Sequence, residues 1–216
     1  MKTLAQSFLS KDEEEQVTAA VGEVERTTSG EIVPMIVSRS HDYPKATALC
    51  SLCLGLPLSL LLTHVVGAHL WLGSQNMWLF LFFCLLLGGI LWPLVPRLPW
   101  LQRHFLHRAE VEREVCEGAL AAFYAEKLYK TAAENGILLY VSVLERKVWI
   151  LADAGINSRI DPVVWERVVA DLTDGIREGR RCQALCAAIR ATGDILREHF
   201  PSRRDDRDEL HNLIVR

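Results

Sequence analysis

The chain has 216 residues, half of them hydrophobic and 24% charged, with 24 Lys plus Arg against 27 Asp plus Glu and a formal net charge of −3. A slightly acidic balance without interleaved aromatic and basic residues excludes the electrostatic footprint of a nucleic-acid binder, so no nucleic-acid partner is expected. Charge is also absent where it matters most: from Ala46 to Pro96 there is no Lys, Arg, Asp or Glu, a run long enough for two bilayer crossings of about 20 residues each.

In chain order, Ser10-Lys11-Asp12-Glu13 has the capping-box pattern, with Asp12, Glu13 and Glu14 favoured by the dipole of a first helical turn. Val17, Ala20, Val21 and Val24 mark one buried face of that helix, which ends at Thr27-Thr28-Ser29-Gly30. Glu31 to Ser38 is rich in β-branched residues and reads as a strand. Pro34 lacks a backbone donor, which places this strand at a sheet edge or a bulge. The first twenty-five residues are acidic and polar rather than basic and then apolar, so no cleavable signal peptide is expected and the chain is anchored from its middle.

The charge-free run divides into crossings at about 46–66 and 77–95, joined by the turn Gly67 to Asn76. Arg39 and Lys45 precede it, Arg97, Arg103 and Arg108 follow it, and the turn has neither Lys nor Arg. Both termini should therefore be cytoplasmic. Trp71, Trp78, Trp92 and Trp100 fall near the expected interfaces. Ser51, Gly55 and Ser59 on the first helix, and Cys84 and Gly88 on the second, recur every four residues and would let the two backbones approach closely. Pro57 would kink the first helix unless neighbours satisfy the freed carbonyl. Neither helix has an ionisable residue near its centre, His64 lying toward the outer end, which favours an anchor over a channel or carrier. Cys50-x-x-Cys53 lies inside the first helix without a His, Asp or Glu neighbour and reads as small packing residues.

Beyond the hairpin, Trp100 to Ala133 reads as one long helix whose first turns mix Trp100, Leu101, Phe105 and Leu106 with Arg103, His104, His107 and Arg108, a mixture suited to a membrane surface. Gly136 to Val143 and Lys147 to Ala152 are strands separated only by Leu144-Glu145-Arg146, which demands an antiparallel hairpin. Asp161-Pro162 opens a further helix as cap and first residue. Arg181 to His199 is a last helix, with apolar positions Leu185, Ala188, Ile189, Ile195 and Leu196. Its Cys182 and Cys186 could supply half a metal site, but no second ligand pair accompanies them. A cytoplasmic setting argues against disulfides among the six cysteines. Helices alternate with few strands, so the soluble part is expected to be α/β, built around a small mixed sheet.

Residues for chemistry are sparse. The sequence has no phosphate-cradling Gly-rich loop with Lys, no His-Glu-x-x-His and no Gly-x-Ser-x-Gly, and no catalytic residue is assigned. The candidate metal ligands are the strand-end carboxylates Glu31, Glu145, Asp153 and Asp161, with Arg146 and Asn135 near the same turns. Each also has a structural reading: Asp161 as a helix cap, Glu145 and Arg146 as turn residues, Asp153 as a strand terminator.

Several segments together resemble the TPM domain: Thr28-Ser29-Gly30-Glu31-Ile32-Val33, Glu134-Asn135-Gly136-Ile137-Leu138-Leu139-Tyr140-Val141-Ser142, Glu145-Arg146-Lys147-Val148 and Ala154-Gly155-Ile156. Trp165 to Glu198, followed by His199-Phe200-Pro201 and Asp208-Glu209-Leu210, is similar to a bacterial integral-membrane branch of that family. The resemblance implies an α/β/α sandwich, here interrupted by a two-helix transmembrane hairpin, in a bacterial inner membrane. The parts would be 1–45 as the first piece of the TPM-like domain, 46–96 as the hairpin, 97–200 as the second piece and 201–216 as a charged tail. In the plant branch of the family, acid-phosphatase activity and divalent-cation binding have been ascribed. For this chain the resemblance therefore implies a possible cation such as calcium or magnesium. Better-known members export the domain and place any membrane segment at the end of the chain, whereas this hairpin falls between the first strand and the long helix.

The leading expectation is a membrane-anchored, non-catalytic interaction or assembly module, whose partners are the lipid bilayer and a membrane protein or further copies of the chain. The alternatives are a divalent-cation-dependent phosphatase and an auxiliary subunit of a membrane transporter. Reporter fusions at the two termini should both register the cytoplasm, and a tag inserted at Ser74 the opposite side; a periplasmic C-terminus would contradict the charge argument.

Overall fold

The computed structural model of the protein describes residues 3–73, 76–131, 134–202 and 212–216. Turn residues Ser74 and Gln75, the expected end of the long helix at Ala133, and the tail from Arg203 to Leu210 lie outside the described residues. The elements are α1 (Lys11–Glu25), β1 (Glu31–Val37), α2 (Pro44–His69), α3 (Met77–Leu94), α4 (Pro99–Arg103), α5 (Arg108–Ala125), β2 (Gly136–Ser142), β3 (Lys147–Ala152), α6 (Ala154–Asn157), α7 (Val163–Arg177), α8 (Arg181–His199) and β4 (Ile214–Val215). Short 3-10 turns occur at Val95–Arg97 and Leu128–Lys130. The chain forms two compact units, Met1–His41 with Glu112–Arg216, and Asp42–Val111.

The first unit is built on a four-stranded mixed sheet in the order β3-β2-β1-β4. β1 and β2 are parallel from Glu31↔Gly136 to Val37↔Ser142, although the whole second unit separates them in sequence. β2 and β3 form the antiparallel hairpin that their short connection demanded. β4 arises from the segment read as a charged tail and pairs with β1 only at Met35 and Ile36. β1 is thus an interior strand, not an edge strand, and Pro34 is accommodated by alternation. The Glu31 N–H donates to Asn135 O beside β2, so odd-numbered N–H groups face β2 and even-numbered ones face away. On that far side the Ile32 N–H donates to Glu25 Oε1, and pairing with β4 starts only at Met35. The donor that Pro34 lacks therefore falls in a gap before β4 begins.

Packing of this unit follows from the apolar periods. Val17, Ala20, Val21 and Val24 of α1 meet Leu185, Ile189 and Leu196 of α8 and Trp165, Val168 and Leu172 of α7, over Ile32, Ile36, Ile137, Leu139, Val141 and Val148 of the sheet. At the start of α1, Ser10 and Glu13 complete a reciprocal box, Glu13 N–H to Ser10 Oγ at 3.3 Å and Ser10 N–H to Glu13 Oε2 at 2.8 Å. Contact between α1 and α8 is close enough that a Cβ on Gly193 would lie 2.2 Å from Val24 Cγ1. On the opposite sheet face, a Cβ on Gly118 of α5 would lie 3.0 Å from the Tyr140 hydroxyl, so helices lie on both sides of the sheet.

In the second unit α2 and α3 pack as a hairpin. The stripe Ser51, Gly55 and Ser59 is buried as its spacing predicts, and a Cβ on Gly55 would lie 3.5 Å from Leu91 Cδ1. The corresponding stripe on α3 is not used in this way: Cys84 is only partly buried and Gly88 has nothing within 4 Å of its missing Cβ. Large Leu91, rather than a small residue, fills the gap that Gly55 leaves. Ser59 and Thr63 return their hydroxyls to the carbonyls of Gly55 and Ser59. Both helices are long and apolar enough to cross a membrane.

The single helix expected from Trp100 to Ala133 is instead broken twice. Within the second unit Gln102 is fully buried and its amide donates to Asp42 O at 3.1 Å and Thr47 Oγ1 at 3.3 Å. That anchor ends α4, and the next N–H groups, of His104, Phe105 and Leu106, bond only three residues back. α5 then stops at Ala125, and Lys127 adopts a left-handed φ of 59°.

Gly136 tests the packing at the start of β2. A Cβ there would sit 2.4 Å from the Leu128 carbonyl oxygen, which is backbone and cannot rotate away. Gly136→Ala should lower stability by roughly 1–3 kcal/mol. Gly22 of α1 has only Asn212 Nδ2 at 3.9 Å, so Gly22→Ala should be neutral or gain up to about 1 kcal/mol. Thermal unfolding of the two variants in detergent checks the contrast.

Candidate functional site

The four candidate carboxylates are distributed over three places. Glu31 opens β1 opposite Gly136, and the Asp153 N–H donates to Gly136 O at 2.9 Å, so these two lie at one end of the sheet, two strands apart, with about 10 Å between their backbones. Both are buried. Asp153 Oδ1 accepts from the Ala154 N–H at 2.7 Å, capping α6, while its Oδ2 is buried without a hydrogen-bond partner among the described residues. Asn135 lies at the same end, where its amide donates to Ser29 O and its N–H donates to Thr131 Oγ1. Asp161 is exposed, and its Oδ1 accepts from the Val163 N–H at 2.9 Å just before α7. The expected cap is displaced by one residue: α7 begins at Val163, Pro162 is its N-cap residue without a side-chain cap bond, and Asp161 holds the Val163 N–H from the position before it.

Glu145 belongs to the other end of the sheet, beyond the Val37↔Ser142 pair. Six residue steps along β1 separate the two ends, about 20 Å. The four residues therefore do not form one cage, and among the described residues no group of three or more His, Cys, Asp or Glu is placed to hold a metal ion. A calcium or magnesium ion takes about six oxygen ligands, backbone carbonyls and waters among them, and of the four candidates only Glu31 and Asp153 share an end of the sheet. Cys182 and Cys186 pack on α1 instead of joining a second ligand pair, and Cys182 Sγ lies 3.5 Å from Gln16 Oε1. Burial first, then the neighbouring Cys186, pushes the Cys182 thiol up to about 11. In this packing it stays protonated at neutral pH.

Around Glu145 the structure assembles a polar cluster that composition and motif did not reveal. Its Oε1 accepts from the Ser40 N–H at 2.8 Å and its Oε2 from the Ser142 hydroxyl. Ser40 Oγ donates to Ser142 Oγ at 3.0 Å and lies 3.2 Å from the Tyr140 hydroxyl. Tyr140 and Ser142 share a face because they are two apart on β2, the face opposite the one that carries Leu139 and Val141 into the core. Burial raises the Tyr140 pKa above its ordinary value; the Ser40 hydrogen bond pulls it down and the Glu145 charge pushes it up further. The cluster ties the chain leaving β1 to the turn between β2 and β3. Ser40 and Ser142, two hydroxyls at the carboxyl ends of apolar strands, were the available sequence signal.

The third feature is the outer edge of β3. Leu151, Trp149 and Lys147 face β2 with their backbone groups, as the Asp153 to Gly136 bond and the strand alternation require. Val148 and Ile150 consequently turn their N–H and C=O groups outward, where no partner meets them among the described residues. Only the Ala152 carbonyl is capped, by Asn157 Nδ2 at 2.7 Å. This edge forms the floor of a groove of about 650 Å³, walled by Glu112 and Val115 of α5 and by α7 from Trp165 to Arg177.

These features define a mixed α/β domain interrupted by a hairpin of two apolar helices. Residues 107–195 match the family model of the TPM domain, the family that the sequence motifs resemble. Among solved structures, the NMR structure of the BA42 protein from the psychrophilic bacterium Bizionia argentinensis is similar, with a TM-score of 0.59 and 21% identity over 96% of this chain and 94% of that one. At this identity the likeness concerns the fold. No curated protein matches the sequence.

The polar cluster makes a pH-dependent prediction. A tyrosine whose folded pKa is raised above 10.0 holds its proton more tightly in the folded state. Its contribution to stability is complete below about pH 10 and is lost as pH rises from there through the higher folded value. Glu145→Gln removes the carboxylate charge and should lower the Tyr140 pKa, while burial keeps it above the ordinary value. Ring-labelled tyrosine NMR against pH checks this; an unchanged Tyr140 titration would contradict the geometry.

Proposed function

We propose that this protein is a membrane-anchored TPM-type domain that acts as a non-catalytic interaction or assembly module, with both termini in the cytoplasm, at a bacterial inner membrane. The observation that carries this reading is the surface of α3. None of its residues is buried, and Met77, Trp78, Leu81, Phe82, Leu85, Leu86, Ile90, Trp92 and Leu94 are all exposed, Leu85 to 79%. Leaving such a side chain in water rather than in an apolar setting forfeits about 1.5–3 kcal/mol. Nine of them, 39–79% exposed, together forfeit as much as or more than the whole folding free energy of an ordinary domain, about 5–15 kcal/mol. Lipid and the apolar face of a membrane partner are the surroundings that suit this helix. The dispersal of the four carboxylates favours interaction over cation-dependent hydrolysis, the alternative reading.

Two measurements test the proposal. The chain should stay in the membrane pellet through an alkaline carbonate wash and leave it only with detergent; release by carbonate would contradict the anchor. Purified protein should show no turnover of a phosphomonoester with magnesium or calcium. Robust turnover that is lost on chelation and in Asp153→Asn would establish the hydrolase instead.

A further inference from the structure

We propose that the edge of β3 is a docking strand, which takes an extended peptide segment of a partner protein as a fifth strand and holds acidic side chains of that segment at its Arg146 and Arg177 end. The inference rests on the interaction-module reading and specifies where the contact lies. Edge strands are ordinarily blunted by Pro, a bulge, inward charges or a covering element. β3 has none of these along its middle: its six residues are Lys147, Val148, Trp149, Ile150, Leu151 and Ala152, paired without a bulge to β2. The outward N–H and C=O groups of Val148 and Ile150 form an alternating donor and acceptor row, and another extended backbone is the partner that matches such a row.

The groove around this row fits one strand. α7, 15 residues and about 22 Å long, flanks β3, about 20 Å long, on the core side, and α5 flanks it on the other. Alternate side chains of an added strand would fall on Val169 and Ala170 of the α7 wall and beside Glu112 of the α5 wall. Trp165 on the α7 wall is 6% exposed, and its indole N–H has no acceptor among the described residues. A second copy of this chain is a poor occupant, because its own β3 edge lies between the same two walls and two such floors cannot approach to strand spacing. The chain's own C-terminal strand is committed to the opposite edge of the sheet, beside β1.

Charge sets the chemistry of the occupant. Arg146, Lys147 and Arg177 gather at one end of the groove. Lys147 is held by Glu112 at 3.0 Å, and Arg177 shares an exposed pair with Asp174. Arg146, in a left-handed turn conformation, has no ion-pair partner among the described residues. A carboxylate placed there meets a cation without breaking an existing pair.

The test uses the full chain in detergent and two fluorescein-labelled synthetic peptides, each a stretch of alternating Val and Thr, one ending in two Glu and the other in two Lys. The Glu peptide should bind saturably and at least about tenfold more tightly than the Lys peptide, and binding should slow amide exchange at Val148 and Ile150. Ile150→Pro removes an outward N–H without touching a bond to β2, and should weaken binding by a similar factor with the thermal transition retained. If that variant fails to fold, Arg146→Glu with Arg177→Glu should reverse the peptide preference. Absence of saturable binding, equal affinity for the two peptides, or insensitivity to both sets of substitutions would overturn the proposal. So would protection of Val148 and Ile150 that requires self-association. Those failures leave the carbonate and turnover results untouched, so a wrong groove and a wrong interaction reading are distinguishable.

Discussion

Parallel pairing of β1 with β2 is the constraint on which the sheet domain depends. The strands are joined not by an ordinary helical crossover but by everything from Ser38 to Asn135, including two apolar helices. Were that connection a flexible loop of about a hundred residues, closing it would cost about 4 kcal/mol before any local term, a large fraction of a domain's stability. The hairpin lessens the cost because α2 and α3 pack on each other and return the chain, so much of the loop is already folded. The remaining closure is secured at the ends of the strands. Glu31 N–H to Asn135 O begins the pairing, and Val143 N–H to Val37 O and Leu144 N–H to Ser38 O finish it. Beside the last of these, Glu145 gathers Ser40 and Ser142, which explains a buried carboxylate without invoking a ligand.

Much of this architecture was legible because its signals are local. The capping box at Ser10, the charge-free run, the three-residue turn before Lys147 and the helix from Arg181 to His199 each depend on neighbours within a few residues, and each appears in the structure. What was not legible depends on distant partners. Pro34 reads as an edge residue, since the gap on its far side exists only because β4 is two residues long and begins at Met35. Nothing near Gln102 in the sequence marks it, yet its fully buried amide stops α4 by bonding Asp42 and Thr47 some sixty residues earlier in the chain. Gly88 has helix-packing spacing, but Leu91 makes the contact with Gly55.

The candidate site shows the same division. Sequence reasoning selects acidic residues at strand ends, and it finds Glu31, Glu145, Asp153 and Asp161. It cannot say which end of a strand shares a corner with which, because that follows from register. With Glu31 opposite Gly136 and Val37 opposite Ser142, Glu145 is carried to the far end of the sheet. Of the residues that surround it, Ser40, just beyond β1, lies about a hundred positions from Tyr140 and Ser142 on β2.

The most direct measurement of this account is the proximity of β1 and β2 in the full-length protein. Cysteines at Val37 and Ser142, register partners on adjacent strands, should have their Cα atoms about 5 Å apart, within disulfide range. Mild oxidation of Val37→Cys with Ser142→Cys in native membranes should yield an intramolecular crosslink, whereas Glu31→Cys with Ser142→Cys, at opposite ends of the sheet, should not. Failure of the first pair to crosslink in a demonstrably folded protein would contradict a sheet closed across the apolar hairpin.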